Sequence, residues 1–384
     1  YISILPEILP ASAAPMWLAR FYHAFTAKGY LLSVLGIFSI MEISRGVVGI
    51  TRHRTNPALL LAVTFLIIIF FGTILLMVPR STLDGVSISL VDALFTATSS
   101  VCVTGLSTVD LATTFSTDGL IIIALLIQVG GLGVMTITCF FALFFMGNTG
   151  LYDQFALRDM VGSDTFSSLM STLLYILGFT LGIEAIGAFF IWTTIHGELG
   201  MGLTDEILFS VFHSISAFCN AGMSTLSGNL GNPMIIQGHG SFFVTISLLI
   251  ILGGIGFPIL VNFKQVLSYN IRYLFAKIVR HKTPAKYPHL TRLNTKIAIS
   301  WTLTLLIIGT ALFAFTEWNN AFAGMSISDK LAHSFFNAAS PRTGGFNSVN
   351  LASFSLLTLI VYMIMMWIGG ASQSTAGGIK VNTF

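Results

Sequence analysis

The sequence predicts an all-α polytopic membrane protein built from repeated units, each a span, a half-length re-entrant helix and a second span. Three observations lead there. The 384 residues are 54% hydrophobic and 9% charged, with a mean hydropathy of +0.87, a balance that no water-facing surface tolerates. Charge-free runs at 58–78, 119–146, 241–263, 297–315 and 351–368, at ~1.5 Å per helical residue, approach the ~30 Å of a bilayer's hydrocarbon core. Finally, a small polar stretch occurs three times, around Gly105, Gly222 and Gly345, with a phenylalanine ten residues before each glycine (Phe95, Phe212, Phe335). The glycines are 117 and 123 residues apart, the spacing of internal repeats that keep their order of elements more than their identity.

Residues 1–57 form an N-terminal appendage. A Pro-rich start leads to an aromatic and basic patch at 17–28 and to a candidate extra membrane helix at 30–50, weakened by Glu42 and Arg45. The chain starts at Tyr1 rather than Met, and no secretory leader pattern precedes the spans, so its beginning is expected to lie upstream. The first unit covers 58–146 and the second 147–267, whose opening span at 168–195 is interrupted by Glu184. A basic loop at 268–296 precedes the third unit, 297–384.

Charge sets the orientation. Eight of the 18 basic residues and no acid lie between Lys264 and Lys296, which places that loop in the cytoplasm. Alternating spans then turn 79–118, 196–240 and 316–350 outward, with nine of the 15 acids. These acids fit a cation-attracting mouth and, equally, the mere avoidance of Lys and Arg on translocated loops. Cys102, Cys139 and Cys219 all fall at membrane depth, so a disulfide framework is not expected, and small-side-chain packing is the plainer account of them.

Each outward segment holds an apolar run of about a dozen residues, at 87–98, 205–216 and 328–339, enough to reach about halfway through a bilayer. The chain must dip in and return. Non-helical backbone at that depth is tolerated only when buried in protein or lining a wet cavity. A half-helix aims the negative end of its dipole at that cavity, and the extended residues after it can turn carbonyl oxygens toward an ion. Glycine permits the required backbone turn. The second spans carry Gly130-Gly131-Leu132-Gly133, Gly253-Gly254-Ile255-Gly256 and Gly369-Gly370. Close helix packing accounts for the first two; with no preceding strand and no GxxxxGK[ST], phosphate binding does not. The third opens a polar run, Gly369 to Lys380, expected to break the helix mid-membrane and to form a gate beneath the pore stretch, with Lys380 reaching an acid or the cytoplasmic surface.

Ser-Val-Cys-Val-Thr-Gly-Leu (100–106), Ile-Gln-Val-Gly-Gly-Leu-Gly (127–133), Arg-Thr-Gly-Gly-Phe-Asn (342–347) and Ser-Thr-Ala-Gly-Gly-Ile-Lys (374–380) resemble the Trk/Ktr/HKT superfamily of potassium transporters, over about residues 58–384. The resemblance implies four units around a pseudo-fourfold ion path. Three filter segments would be Val103-Thr104-Gly105, Asn220-Ala221-Gly222 and Thr343-Gly344-Gly345, with potassium bound there. Glycine at position 105, where related sodium-preferring proteins have serine, favours potassium. The gate loop would comprise Gly369, Gly370, Ser372, Gln373, Ser374, Thr375, Gly377, Gly378 and Lys380, although Ala371, Ser372 and Gln373 depart from the smaller residues, proline and glycine usual in related loops. The resemblance further implies a homodimer in the bacterial inner membrane with its filter loops outward, seated on a cytoplasmic ring of nucleotide-binding subunits. The basic stretch 264–296 would meet that ring or anionic lipid. The appendage is more Trk-like than Ktr-like, and a fourth unit is expected with its glycine about 120 residues beyond Gly345.

Arg342 is expected to turn from the path toward pore-helix carbonyls or an acid, supporting the filter. Glu184 reads as a packing hydrogen bond, and His213 and His333, at unmatched repeat positions, as structural. No organic cofactor and no nucleic acid partner is indicated. Passive flow and symport with protons or sodium both stay open, as does a sodium-permeable or weakly selective pathway. A membrane enzyme would need a nucleophile and base clustered at depth, which the sequence lacks, and a non-conducting scaffold would leave the glycine stretches without a use.

Overall fold

The computed structural model describes residues 57–133, 169–256, 293–371 and 374–383, with scattered helical positions between 259 and 273. Nearly all of the appendage and basic loop, together with Cys139, Ser372 and Gln373, lies outside the described residues. Among the described residues regular structure is helical throughout. The first unit is α1 (Pro57–Leu76), α2 (Leu90–Val101) and α3 (Thr117–Gly131). The second is α4 (Leu169–Ile195), α5 (Leu203–Phe218) and α6 (Gly240–Ile255). The third is α7 (Leu293–Glu317), α8 (Ile327–Ala339) and α9 (Leu356–Trp367).

Within α4, Leu174–Ile195, and within α7, Thr295–Glu317, are long and apolar enough to cross a bilayer. The 12 residues of α2 rise ~18 Å, half that distance. Leu66 and Phe70 on α1, Phe189 and Phe190 on α4, and Ile307 and Phe315 on α7 are exposed. Helices apolar on their outer faces have acyl chains, not water, as their solvent.

The helices of each unit pack on one another, and α3 and α6 also pack on the half-helix of the following unit, α5 and α8. The apolar cores repeat this rule. The first-unit core takes in Phe212, Phe218 and Met223 from the second pore loop, and the second-unit core takes in Phe336 and Phe346 from the third. The second and third half-helices, with the turns after them, are therefore each held by two units.

Local signals set the boundaries. Ser89 accepts from Asp92 N at 3.1 Å and donates to its carboxylate at 2.7 Å; Ser326 does the same for Asp329, at 3.1 and 2.9 Å. These reciprocal caps put an acid in the first turn, where it also complements the dipole. The cap starts α2 at Leu90, three residues after the apolar run begins. Ser355 likewise accepts from Thr358 N, so the expected span at 351–368 becomes a short turn, Leu351–Ser353, and then the 12-residue α9.

The paired-glycine motifs do more than pack. Gly133 (φ 76°) and Gly256 (φ 93°) take left-handed conformations and end α3 and α6, so all three second spans break in the described region. Gly130 and Gly253 press against the last carbonyls of the half-helices, Val101 O and Phe218 O, so closely that a methyl group on either would overlap the oxygen. Gly253→Leu is expected to destabilise the fold by ~3 kcal/mol or more, through overpacking against immovable backbone. Gly182 on α4 has open space where its Cβ would be, so Gly182→Ala is expected to be neutral or stabilising by up to ~1 kcal/mol. Thermal unfolding of the two purified variants checks the contrast.

Candidate ion pathway

The first two half-helices end with the same bonds. Cys102 N and Cys219 N donate to Thr98 O and Ile215 O at 2.8 and 2.9 Å; Val103 N and Asn220 N donate to Ser100 O and Ala217 O at 3.3 and 3.1 Å; Thr104 N and Ala221 N reach back five residues to Ser99 O and Ser216 O at 2.8 and 2.7 Å. Both then place two left-handed residues with a single residue between them: Val103 (φ 54°) and Gly105 (φ 82°), then Asn220 (φ 60°) and Gly222 (φ 70°). For Val103, β-branched, this conformation is costly and must be held by its surroundings. The third segment departs from this pattern. Ser340–Gly344 winds as a wide turn and only Gly345 (φ 72°) is left-handed, because Pro341 has no N–H to continue the α-helical ladder.

The three glycines converge. A Cβ on Gly105 would overlap Ala221 O, and one on Gly222 would lie 2.7 Å from Gly345 Cα and 2.8 Å from Gly344 O. The carbonyls of Ala221 and Gly344, each one residue before the glycine, thus point into the space where segments meet. Oxygens so placed can substitute for part of a cation's water shell. Serine hydroxyls brace the second and third segments: Ser216 donates to Met223 O at 2.7 Å and Ser340 to Phe346 O at 2.5 Å. Spacing could have shown these, since Ser216 and Ser340 lie six and five residues before their glycines. In the first segment Ser99 Oγ is buried without a partner, and Thr104 and Leu106 are exposed.

Beneath the glycines, the chain after α9 forms a short loop. Ile368 and Ile379 pair in parallel, with Gly369 N donating to Ile379 O at 3.1 Å, Ile379 N to Trp367 O at 3.1 Å and Val381 N to Gly370 O at 3.1 Å. Ser374 Oγ donates to Ala371 O at 2.7 Å, and a methyl on Gly369 would overlap Gly377 O. Gly378 is left-handed at φ 73°. Bonds to the surrounding elements seat this loop, among them one from Thr375 Oγ1 to Phe218 O at 3.3 Å. Ala371 N donates to Gly254 O at 3.0 Å, Asn220 Nδ2 to Thr375 Oγ1 at 2.6 Å, and Arg342 Nη2 to Gly369 O at 3.1 Å. Two sequence expectations are corrected here. Arg342 turns to the loop rather than to a pore-helix carbonyl or an acid, since Gly369 O lacks a helical donor past the end of α9. Lys380 Nζ donates to Ala376 O within its own loop rather than reaching an acid or the cytoplasmic surface, the loop being folded tightly enough to offer a nearer oxygen.

Other buried polar residues bond to neighbouring elements. Buried Glu184 accepts from Cys219 Sγ at 3.8 Å. His213 Nδ1–H donates to Phe209 O at 2.8 Å, so Nε2 accepts from Ser224 Oγ at 2.8 Å. His333 Nε2 donates to Ile236 O at 2.9 Å. The outward acids, too, are mostly clasps. Asp92 and Asp329 cap helices, Asp110 accepts from Ala112 N, Asp118 pairs with Arg80 and Glu198 with His239. Glu317 accepts from Ser355 N and Thr358 Oγ1. Glu206, at the outward start of α5, is held below the usual carboxylate range first by its bond from His196 and then by Gly197 N–H. These bonds hold the carboxylates at helix ends and loop junctions, while the Asp118 and Glu198 side chains keep 46% and 61% of their surface exposed.

Known proteins share this sequence and fold. The family model of TrkH, described as cation transport protein, matches residues 25–384. Potassium/sodium uptake protein NtpJ of Enterococcus hirae is 36% identical over 333 residues, 86% of this chain and 68% of that protein. Ktr system potassium uptake protein B of Bacillus subtilis is 34% identical over 333 residues, 86% of this chain and 69% of that one. Among solved structures, the potassium transporter TrkH from Vibrio parahaemolyticus matches with a TM-score of 0.53 and 20% identity, a likeness of fold, over 83% of this chain and 58% of that one.

Proposed function

From the premise that this chain belongs to the TrkH family of cation transport proteins, we propose that it takes up potassium along the line where Gly105, Gly222 and Gly345 meet. The family consists of membrane transporters, not enzymes. One observation carries the reading: three left-handed glycines, 117 and 123 residues apart in sequence, lie backbone to backbone at the ends of half-length helices, with carbonyls between them. The filter segments are 103–105, 220–222 and 343–345, Arg342 supports them from below, and 369–380 is the gate. The units are those expected from the sequence, 58–146, 147–267 and 297–384. The setting is the bacterial inner membrane with filter loops outward, as a homodimer on a cytoplasmic nucleotide-binding ring that meets the basic stretch 264–296.

A second reading has its own support. The relative from Enterococcus hirae is named for potassium and sodium uptake, and the first segment lacks the serine brace of the other two, Ser99 Oγ having no partner. Sodium permeation along the same path is the outcome that this favours. The full protein, expressed in cells without potassium uptake of their own, is expected to restore growth at low external potassium. Rescue by sodium but not potassium would favour the second reading, and no flux of either ion would reject both.

A further inference from the structure

The geometry points to Thr375 as a positioning residue that latches the intramembrane loop to the second filter segment, so that moving the loop and altering ion preference are one event. This rests on reading 220–222 as filter and 369–380 as gate. The Thr375 hydroxyl accepts from Asn220 Nδ2 at 2.6 Å and donates to Phe218 O at 3.3 Å. One hydroxyl thus joins the last carbonyl of α5 to the left-handed residue two before Gly222. The bridge spans 155 residues of sequence and is made only while the loop is seated.

The first segment shows that the bond is not needed to shape the backbone. Val103 holds the same place and the same left-handed conformation, φ 54° against 60° for Asn220, with an apolar side chain against Gly130. Asparagine tolerates that conformation unaided. An amide at position 220 therefore adds a directional tie that the fold does not require. Gly254 marks where the tie sits. A Cβ there would lie 3.8 Å from Ala376 Cβ, 3.9 Å from Thr343 Oγ1 and 4.0 Å from Asn220 Nδ2, so the loop meets the second and third segments at one corner. Asn220 Oδ1 is buried without a partner, which leaves Thr375 as the side chain's hold. If the loop withdraws, Asn220 and Phe218 O lose their shared partner together, and the backbone after Asn220, which carries the Ala221 carbonyl, loses its tie to the loop.

The test uses the full protein in cells lacking potassium uptake, with resting flux and the potassium-to-sodium ratio measured in each variant. Thr375→Val keeps the shape and removes both bonds; it is expected to raise resting flux and to lower the ion ratio, each by about tenfold or more, the equilibrium weight of two net hydrogen bonds. Thr375→Ser restores both. Asn220→Val, which copies the first segment, removes the Asn220 bond but leaves the one to Phe218 O, so it moves both readouts the same way by less, and the double variant is no worse than Thr375→Val. A Thr375→Val protein with altered flux but the wild-type ion ratio would overturn the latch, as would additive effects in the double variant or loss of transport in Thr375→Ser. Absence of potassium uptake in the unaltered protein would instead reject the reading on which the latch rests, so the two failures are distinguishable.

Discussion

Gly105→Ser is expected to lose most of its preference for potassium over sodium while still passing ions. Two costs fall on one atom. The residue sits at φ 82°, where an L side chain costs ~1–2 kcal/mol, and its Cβ would overlap Ala221 O. Ala221 is anchored by its bond to Ser216 O at 2.7 Å and its segment is braced by the Ser216 hydroxyl, whereas the equivalent Ser99 hydroxyl of the first segment has no partner. The first segment is therefore the one that moves, and the spacing between carbonyls widens. An ion held by carbonyls at a set spacing is discriminated by that spacing and by the number of oxygens reaching it. A drop of about tenfold in the potassium-to-sodium ratio corresponds to ~1.4 kcal/mol, well within the strain introduced. Tracer uptake of both ions in matched cells measures it, and an unchanged ratio at normal flux would count against the filter assignment.

Deleting 372–376 is expected to raise resting flux by about tenfold or more. The loop is seated by bonds to Gly254 O, to Asn220, to Phe218 O and through Gly369 O to Arg342; at ~1 kcal/mol net for each hydrogen bond, together they can keep an opening rare. The deletion removes the Asn220 bond and the polar bulk beneath the glycines but leaves Gly369 for Arg342. Flux at or below the wild-type level in a correctly inserted protein would remove the gate from the account.

Much of this was legible in sequence because it depends on local chemistry repeated three times. The glycines, the half-length apolar runs and the polar loop after α9 follow from the distance a helix needs to cross a bilayer and from the conformations that glycine permits. What escaped depends on tertiary proximity. Nothing near Asn220 in the chain announces Thr375, 155 residues away, nor does the sequence tell that Arg342 finds Gly369 O rather than an acid. A count of charges in the outward loops does not show which carboxylates also sit in helix caps, and the serines before Asp92 and Asp329 were the signal that could have done so. The wide turn at Ser340–Gly344 was signalled by Pro341, which breaks the equivalence that glycine spacing suggests.

The central claim is that backbone carbonyls gathered around Gly105, Gly222 and Gly345, rather than any side-chain charge, choose the ion. Its most direct test is the reversal potential of the full protein reconstituted in vesicles with potassium on one side and sodium on the other. The account predicts a potential close to that of potassium for the unaltered protein and a shift toward zero for Gly105→Ser. A potential near zero in the unaltered protein, or one that Gly105→Ser leaves in place, would contradict it.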